Sequence, residues 1–438
     1  MRYDITYDDY LVEKDIEVRK NMPDIKALYS DYVKNLDTYI MFKIKQQTVK
    51  LTPELVKKDR APIMLSIGAP TTRPPEFVID ELRKALDEDE KHSYSTTKGE
   101  KYFLEAAATR MKNRFGVDVS VDNGEVVSLI GSKEGLSAMF RALINPSINP
   151  SEQDIIMIPD PGYASYKEQI KTAGGYAYPI ALKPEENFMP DPEKVFAQLE
   201  KDGFNPKKVK AFVVNYPNNP LGVPATREYL QSVVDFCYKR NILLISDAAY
   251  ADMYFEGQDA PASILEFAKA KEIAIEFHSL SKPYALTGWR IGWACGNADA
   301  VNILAKLKST IDTGIFKAIQ KASAEILVSP VGDEYIKEVN KGYEKKQSIF
   351  VQGLKELGWD FSKINVPKST FYLWIPIPER YKTSEEFAND LLKTSGIVIV
   401  PGSAFGRFGE GYVRISIVAT EENLKKAIAR MKADGFNY

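Results

Sequence analysis

The chain has 438 residues, 44% of them hydrophobic and 11% aromatic, which supplies a sizeable core and excludes a disordered polymer. Its 58 basic and 60 acidic side chains leave a formal net charge of −2, without the concentrated basic surface that nucleic-acid binding needs. Two cysteines (Cys237, Cys295) and two histidines (His92, His278) argue against a His/Cys metal centre, and no apolar run approaches a membrane span.

The polar, acidic N-terminus, Met1 to Asp9, lacks a signal-peptide core, so a soluble cytoplasmic protein is expected. Residues 1 to 35 read as a charged extension or arm. From Thr38 to Val56 apolar residues recur at helical spacing until Pro62 ends the pattern, and Ile63 to Pro70 reads as a short strand and turn. Residues 36–72 are expected to form the N-terminal part of a smaller domain. Pro75 to Asp87 opens with proline and continues as an amphipathic helix. Apolar runs then alternate with helical stretches. The runs are Val126–Ile130, Asp154–Ile158, Ala211–Asn215, Ile242–Ser246, Ile273–Phe277 and Ile291–Ala294; the helical stretches include Glu134–Ile144, Tyr166–Ala173 and Thr226–Arg240. Continuous rather than alternating apolar runs fit strands covered on both faces. The rhythm predicts an α/β fold over 73–316, a mostly parallel sheet flanked by helices, with chemistry at the carboxyl ends of strands. Residues 317–438 read as a smaller α+β domain. It opens on one long helix from Phe316 to Leu357 and contains strands near Thr370–Ile375 and Gly411–Ile417.

The stretch Ser279-Leu-Ser-Lys-Pro-Tyr-Ala-Leu-Thr-Gly-Trp-Arg-Ile-Gly292 places Lys282 in a polar turn after an apolar run. An amine that must be unprotonated to attack an aldehyde belongs in a cleft, where burial or nearby cations depress its pKa. Ser279 and Arg290 flank it with a hydroxyl and a forked cation suited to phosphate. Lysine plus phosphate cradle suggests pyridoxal 5′-phosphate held as a Schiff base. Other strand ends carry complementary groups. Gly131, Ser132 and Lys133 open a helix whose backbone N–H groups attract phosphate. Tyr163 offers a face for a pyridine ring, and Asn219 a donor for its phenolic oxygen. Asp247 would pair the ring N–H, with Tyr250 on the phenolate oxygen. Taken singly, these residues also read as a helix cap, a turn tyrosine, an ordinary Asn-Pro loop and a capping aspartate.

Together they resemble a class I/II aminotransferase of the fold-type I pyridoxal-phosphate superfamily, from about Tyr39 to the C-terminus. The Ser279–Gly292 stretch matches that family's lysine signature at every position. The resemblance implies that Lys282 carries the cofactor and shuttles a proton, with Asp247 and Tyr250 assisting. It implies that Gly131, Ser132, Lys133, Ser279 and Arg290 hold the phosphate, and that Tyr163 and Asn219 hold the ring. Gly402-Ser-Ala-Phe-Gly-Arg-Phe-Gly-Glu-Gly-Tyr-Val-Arg414 resembles the family's carboxylate-binding stretch. Arg414 would therefore read the substrate α-carboxylate beside Asn219, with the Gly68 backbone closing over it. His92 to Gly99 resembles the segment whose tyrosine reaches a neighbouring subunit, which implies a homodimer with Tyr94 as the crossing ligand. Leu221 stands where many relatives have threonine, and residues 1–35 have no clear counterpart.

The implied reaction moves an amino group between an L-amino acid, with glutamate expected as one, and a 2-oxo acid by a ping-pong mechanism. Thr310–Gln320, Ser369–Trp374 and Pro401–Arg414 look like the corresponding stretches of LL-diaminopimelate aminotransferases. Aspartate, alanine and aromatic aminotransferases, and the fold-type I carbon–sulfur β-lyases, remain alternatives on the same residues. Arg73, Lys98 and Arg407 are candidates for a distal substrate group, each also readable as plain surface charge.

Overall fold

A computed structural model of the protein describes residues 25–34, 36, 38, 40–362 and 364–438. The chain divides into two compact units, residues 1–36 and 37–438. Of the first, two one-turn helices are described (Ile25–Leu28 and Asp31–Lys34), so the charged extension expected over 1 to 35 lies mostly outside the described residues.

The second unit opens with a helix, Ile40–Lys57, and a short strand β1 (Ile63–Met64). Seven strands follow: β2 (Val126–Leu129), β3 (Ile155–Asp160), β4 (Tyr176–Ala181), β5 (Val209–Val214), β6 (Leu243–Asp247), β7 (Ala274–Ser279) and β8 (Gly292–Gly296). They form one sheet in the order β2-β8-β7-β6-β5-β3-β4. Since β8 runs against both β2 and β7 and the other pairings are parallel, six strands share one direction. Their carboxyl ends line one edge of the sheet, where β8 begins.

Alternate residues of each strand feed two cores, the reason the apolar runs are continuous. Val127, Ile156, Val213, Ile245 and Phe277 pack against Leu136, Phe140, Ile170 and Leu304 on one face. Val126, Met157, Phe212 and Leu244 pack against Phe103, Met111, Val233 and Phe236 on the other. The strand β4 was not legible in the sequence. It is an edge strand carrying Pro179, whose missing N–H an edge tolerates.

The C-terminal strands are β9 (Tyr372–Pro376), β10 (Ile397–Val398), β11 (Val400–Pro401) and β12 (Tyr412–Ser416). β12 lies between β11 and β9, while β10 pairs with β1. Ile63 and Leu65 thereby join a separate core with Phe350, Leu373, Ile397, Ile415 and Leu424. The single helix expected from Phe316 to Leu357 is two, Lys317–Val328 and Pro330–Glu356. Pro330 is the cause: its ring disfavours α geometry at Ser329, which sits at φ −86°, ψ 137°. Ser329 then caps the second helix by accepting the Val331 N–H.

Candidate active site

Five strand ends and the turn before β8 converge on one cavity of about 410 Å³. Gly68, Ser132, Lys133, Tyr163, Asn219, Asp247, Tyr250, Ser279, Lys282, Arg290 and Arg414 all line it. Strand polarity assembles the residues from Ser132 to Lys282, while Gly68 and Arg414, 346 positions apart, reach the cavity from β1 and β12 outside that sheet.

Lys282 donates from Nζ to the Gly68 carbonyl at 2.6 Å. Burial, reinforced by Arg414 and Arg290 and opposed by Asp247, lowers its pKa to about 8. A fraction of the amine is therefore neutral near neutral pH. Asp247 ends β6 and is 5% exposed. Its Oδ2 accepts the Tyr166 hydroxyl at 2.5 Å, while Oδ1 has no hydrogen-bond partner among the described residues. Burial raises this carboxyl's pKa despite the Tyr166 hydroxyl, the nearby Ala249 N–H and the Lys282 charge. An unpartnered buried carboxylate oxygen calls for a donor.

At the other end Arg414, 3% exposed on β12, donates from Nη1 to Asn219 Oδ1 at 2.9 Å and from Nη2 to Ser66 O at 2.8 Å. Its Nε has no hydrogen-bond partner among the described residues. The guanidinium also lies 4.5 Å from the Tyr372 ring centre and 4.8 Å from that of Phe405. Asn219 is held in turn, its N–H donating to Asn215 Oδ1 at 3.0 Å.

A third cluster gathers donors. Gly131 caps the helix Ser132–Leu143 at φ 80°, and a Cβ there would fall 2.4 Å from Arg290 Nη2. Glycine is therefore required for Arg290 to close on the helix N-terminus. Arg290 donates from Nη1 toward Ser281 Oγ at 3.4 Å and from Nη2 to Ile130 O at 3.2 Å. Ser279 Oγ accepts the Ser281 N–H at 3.2 Å. Burial, with Arg290 beside it, lowers the Lys133 pKa. A helix N-terminus with two cations and two hydroxyls is built for a phosphate. Tyr163 stands edge-on to Tyr166, ring centres 5.4 Å apart, leaving a face for the cavity.

A family model, aminotransferase class I and II, matches residues 60–431. The chain belongs to the aminotransferase class I and II family. It is a pyridoxal-phosphate-dependent aminotransferase, and the cavity fits that cofactor on its own evidence: an orphaned carboxylate oxygen for a ring N–H, a depressed lysine and a phosphate cradle. Among similar proteins, the LL-diaminopimelate aminotransferase of Halothermothrix orenii is 38% identical over 403 residues, 92% of this chain and 97% of that one. LL-diaminopimelate aminotransferase 2 of Trichormus variabilis is 42% identical over 376 residues, 86% of this chain and 92% of the relative. The substrate-bound BacF structure from Bacillus subtilis superposes with a TM-score of 0.83 at 30% identity, covering 92% of this chain and 97% of that chain. A Thermus thermophilus aspartate aminotransferase mutant gives 0.81 at 27% identity, covering 92% and 99%.

Several sequence candidates fall outside this aminotransferase's cavity. Tyr94 is 86% exposed and does not line it. Arg73 pairs with Glu76 at 2.7 Å, and Lys98 donates to Asn302 at 2.9 Å. The Arg407 N–H donates to Asp160 at 3.1 Å. None of these three lines the cavity either. Sequence reasoning missed Tyr166, Ser281 and Tyr372. All three stand within stretches already singled out, but their partners are set by the fold.

Proposed function

We propose that this aminotransferase is an LL-diaminopimelate aminotransferase, moving an amino group between that substrate's oxo acid and glutamate by a ping-pong mechanism. The observation that carries the reading is the 36 to 42% identity, over most of both chains, to relatives bearing that name.

Bound pyridoxal phosphate supplies an aldehyde that takes up the amino group and a ring that stabilises the electron pair left at Cα. Arg414 binds the substrate α-carboxylate through its remaining N–H groups, oriented by Asn219 and Ser66. Lys282 Nζ, partly neutral with its pKa near 8, takes the proton from Cα and later returns one. Asp247 would accept the ring N–H at Oδ1, which has no hydrogen-bond partner among the described residues, while Tyr166 fixes the other oxygen. Tyr250 donates to the ring oxygen. Asn219, its Oδ1 committed to Arg414, offers Nδ2 to the same atom. Gly131, Ser132, Lys133, Ser279 and Arg290 hold the phosphate, and Tyr163 covers the ring.

The working enzyme is a cytoplasmic homodimer in which Tyr94 completes the phosphate site of the other subunit. Its exposure within one chain supports that role, and among the described residues no helix is long and apolar enough to cross a membrane.

A panel of amino donors against 2-oxoglutarate tests the reading. Turnover should be highest with LL-diaminopimelate, and Arg414→Ala should raise KM for it. Preference for aspartate, alanine or an aromatic donor would replace the substrate assignment. Release of pyruvate and ammonia from a sulfur amino acid would replace the reaction.

A further inference from the structure

The two halves of the site belong to different sheets. Arg414 lies on β12, whereas Tyr250 and Lys282 follow β6 and β7. Besides the Asn219–Arg414 hydrogen bond, the Tyr372 side chain on β9 touches both halves. Its ring lies 4.5 Å from the Arg414 guanidinium carbon. Its hydroxyl is 2.9 Å from that of Tyr250 and 3.5 Å from Gly68 O, the carbonyl that also accepts Lys282 Nζ at 2.6 Å. Tyr372 and Tyr250 are 1% and 5% exposed. A Cβ on residue 68 would come 2.9 Å from the Tyr372 oxygen, so that hydroxyl fills the space left by Gly68.

The two hydroxyls share one hydrogen bond, and by geometry either can be its donor. Burial, with Tyr372 alongside, holds the Tyr250 phenol well above its ordinary pKa, so it stays protonated and can donate. Two hydroxyls 2.9 Å apart place one proton between them. If Tyr372 supplies it, the Tyr250 proton is released to the cavity, and a phenol that accepts one hydrogen bond donates a stronger one. Gly68 O, at 3.5 Å, is the poorer acceptor for Tyr372.

Resting on the roles proposed above for Arg414 and Tyr250, we infer that Tyr372 is a positioning residue. Its hydroxyl aims the Tyr250 proton at the cofactor's ring oxygen, and its ring seats Arg414 for the substrate carboxylate. The two parts of the side chain therefore act on different kinetic constants.

The test compares Tyr372→Phe, Tyr372→Leu, Tyr250→Phe and the double Tyr250→Phe/Tyr372→Phe in cofactor-loaded enzyme. The first readout needs no turnover: the pH midpoint of the cofactor's visible absorbance. A weaker Tyr250 donor leaves more proton affinity at the ring oxygen and its neighbouring nitrogen. Tyr372→Phe should therefore move the midpoint upward and lower kcat about tenfold. KM for the amino donor should stay within about twofold, because the ring under Arg414 is kept. Tyr372→Leu should add a rise in KM. In the Tyr250→Phe background, Tyr372→Phe should move the midpoint no further, since its effect runs through the Tyr250 hydroxyl. A wild-type midpoint and kcat in Tyr372→Phe would overturn the inference. So would an equal shift with and without the Tyr250 hydroxyl. An unchanged KM in Arg414→Ala measured alongside would instead overturn the underlying site reading.

Discussion

Tyr166→Phe removes one hydroxyl and nothing else from a fully buried position, and its effect can be worked out from the structure. The hydroxyl donates to Asp247 Oδ2 at 2.5 Å, and among the described residues no other side chain donates to that carboxylate. A hydrogen bond to a charged group is worth about 1.5–3 kcal/mol. Its loss should raise the Asp247 pKa further, because the donor favours the ionised form. The sign follows from linkage. A carboxyl whose folded pKa lies above its unfolded value takes up a proton on folding. Its penalty is absent below the ordinary carboxylate range of about 4 and grows as pH rises through the folded pKa. Apoenzyme carrying Tyr166→Phe should therefore lose stability relative to wild type progressively with pH. The deficit should level off at about 1.5–3 kcal/mol once Asp247 is ionised in both proteins. Denaturant unfolding of both apoproteins across pH 4.5 to 9 (the range set by the carboxylate window at about 4 and above) measures it. A deficit that stays constant with pH would refute the reasoning, because it would place the cost in lost packing rather than in the carboxylate.

Other outcomes are expected on the same grounds. In apoenzyme at a pKa of about 8, Lys282 should be labelled by an amine-reactive probe at lower pH than exposed lysines, as read by peptide mass spectrometry. Labelling that rises only above pH 10, with the bulk of the lysines, would contradict the depressed pKa. Gly131→Ala puts a methyl 2.4 Å from Arg290 Nη2 at φ 80°, so it should weaken pyridoxal-phosphate affinity by about tenfold or more while leaving the fold's circular dichroism unchanged.

What the sequence could reveal was local. The lysine turn, the Gly131 helix start and the Asp247-Ala-Ala-Tyr250 strand end each sit within a few residues of their strand, and strand polarity alone brings them together. The partners of these groups were hidden because the fold sets them across the chain. Tyr166 meets Asp247 across 81 positions, and Tyr372 meets Tyr250 across 122. In isolation Arg414 reads as an exposed strand arginine. Its burial depends on Asn219 and Ser66, 195 and 348 positions away. The break at Ser329 was legible in principle from Pro330, but the helical pattern on both sides masked it. The edge strand β4 was obscured by Pro179, a residue that argues against a strand unless the edge position is known.

The account rests on a covalent link between the Lys282 side chain and pyridoxal phosphate. Loading the purified protein with that cofactor, reducing with borohydride and mapping the peptides tests it most directly. The expected result is a pyridoxyl group on the peptide spanning Ser279–Gly292, located at Lys282 and missing in Lys282→Ala. A modification found on another lysine, or none at all in fully loaded protein, would contradict it.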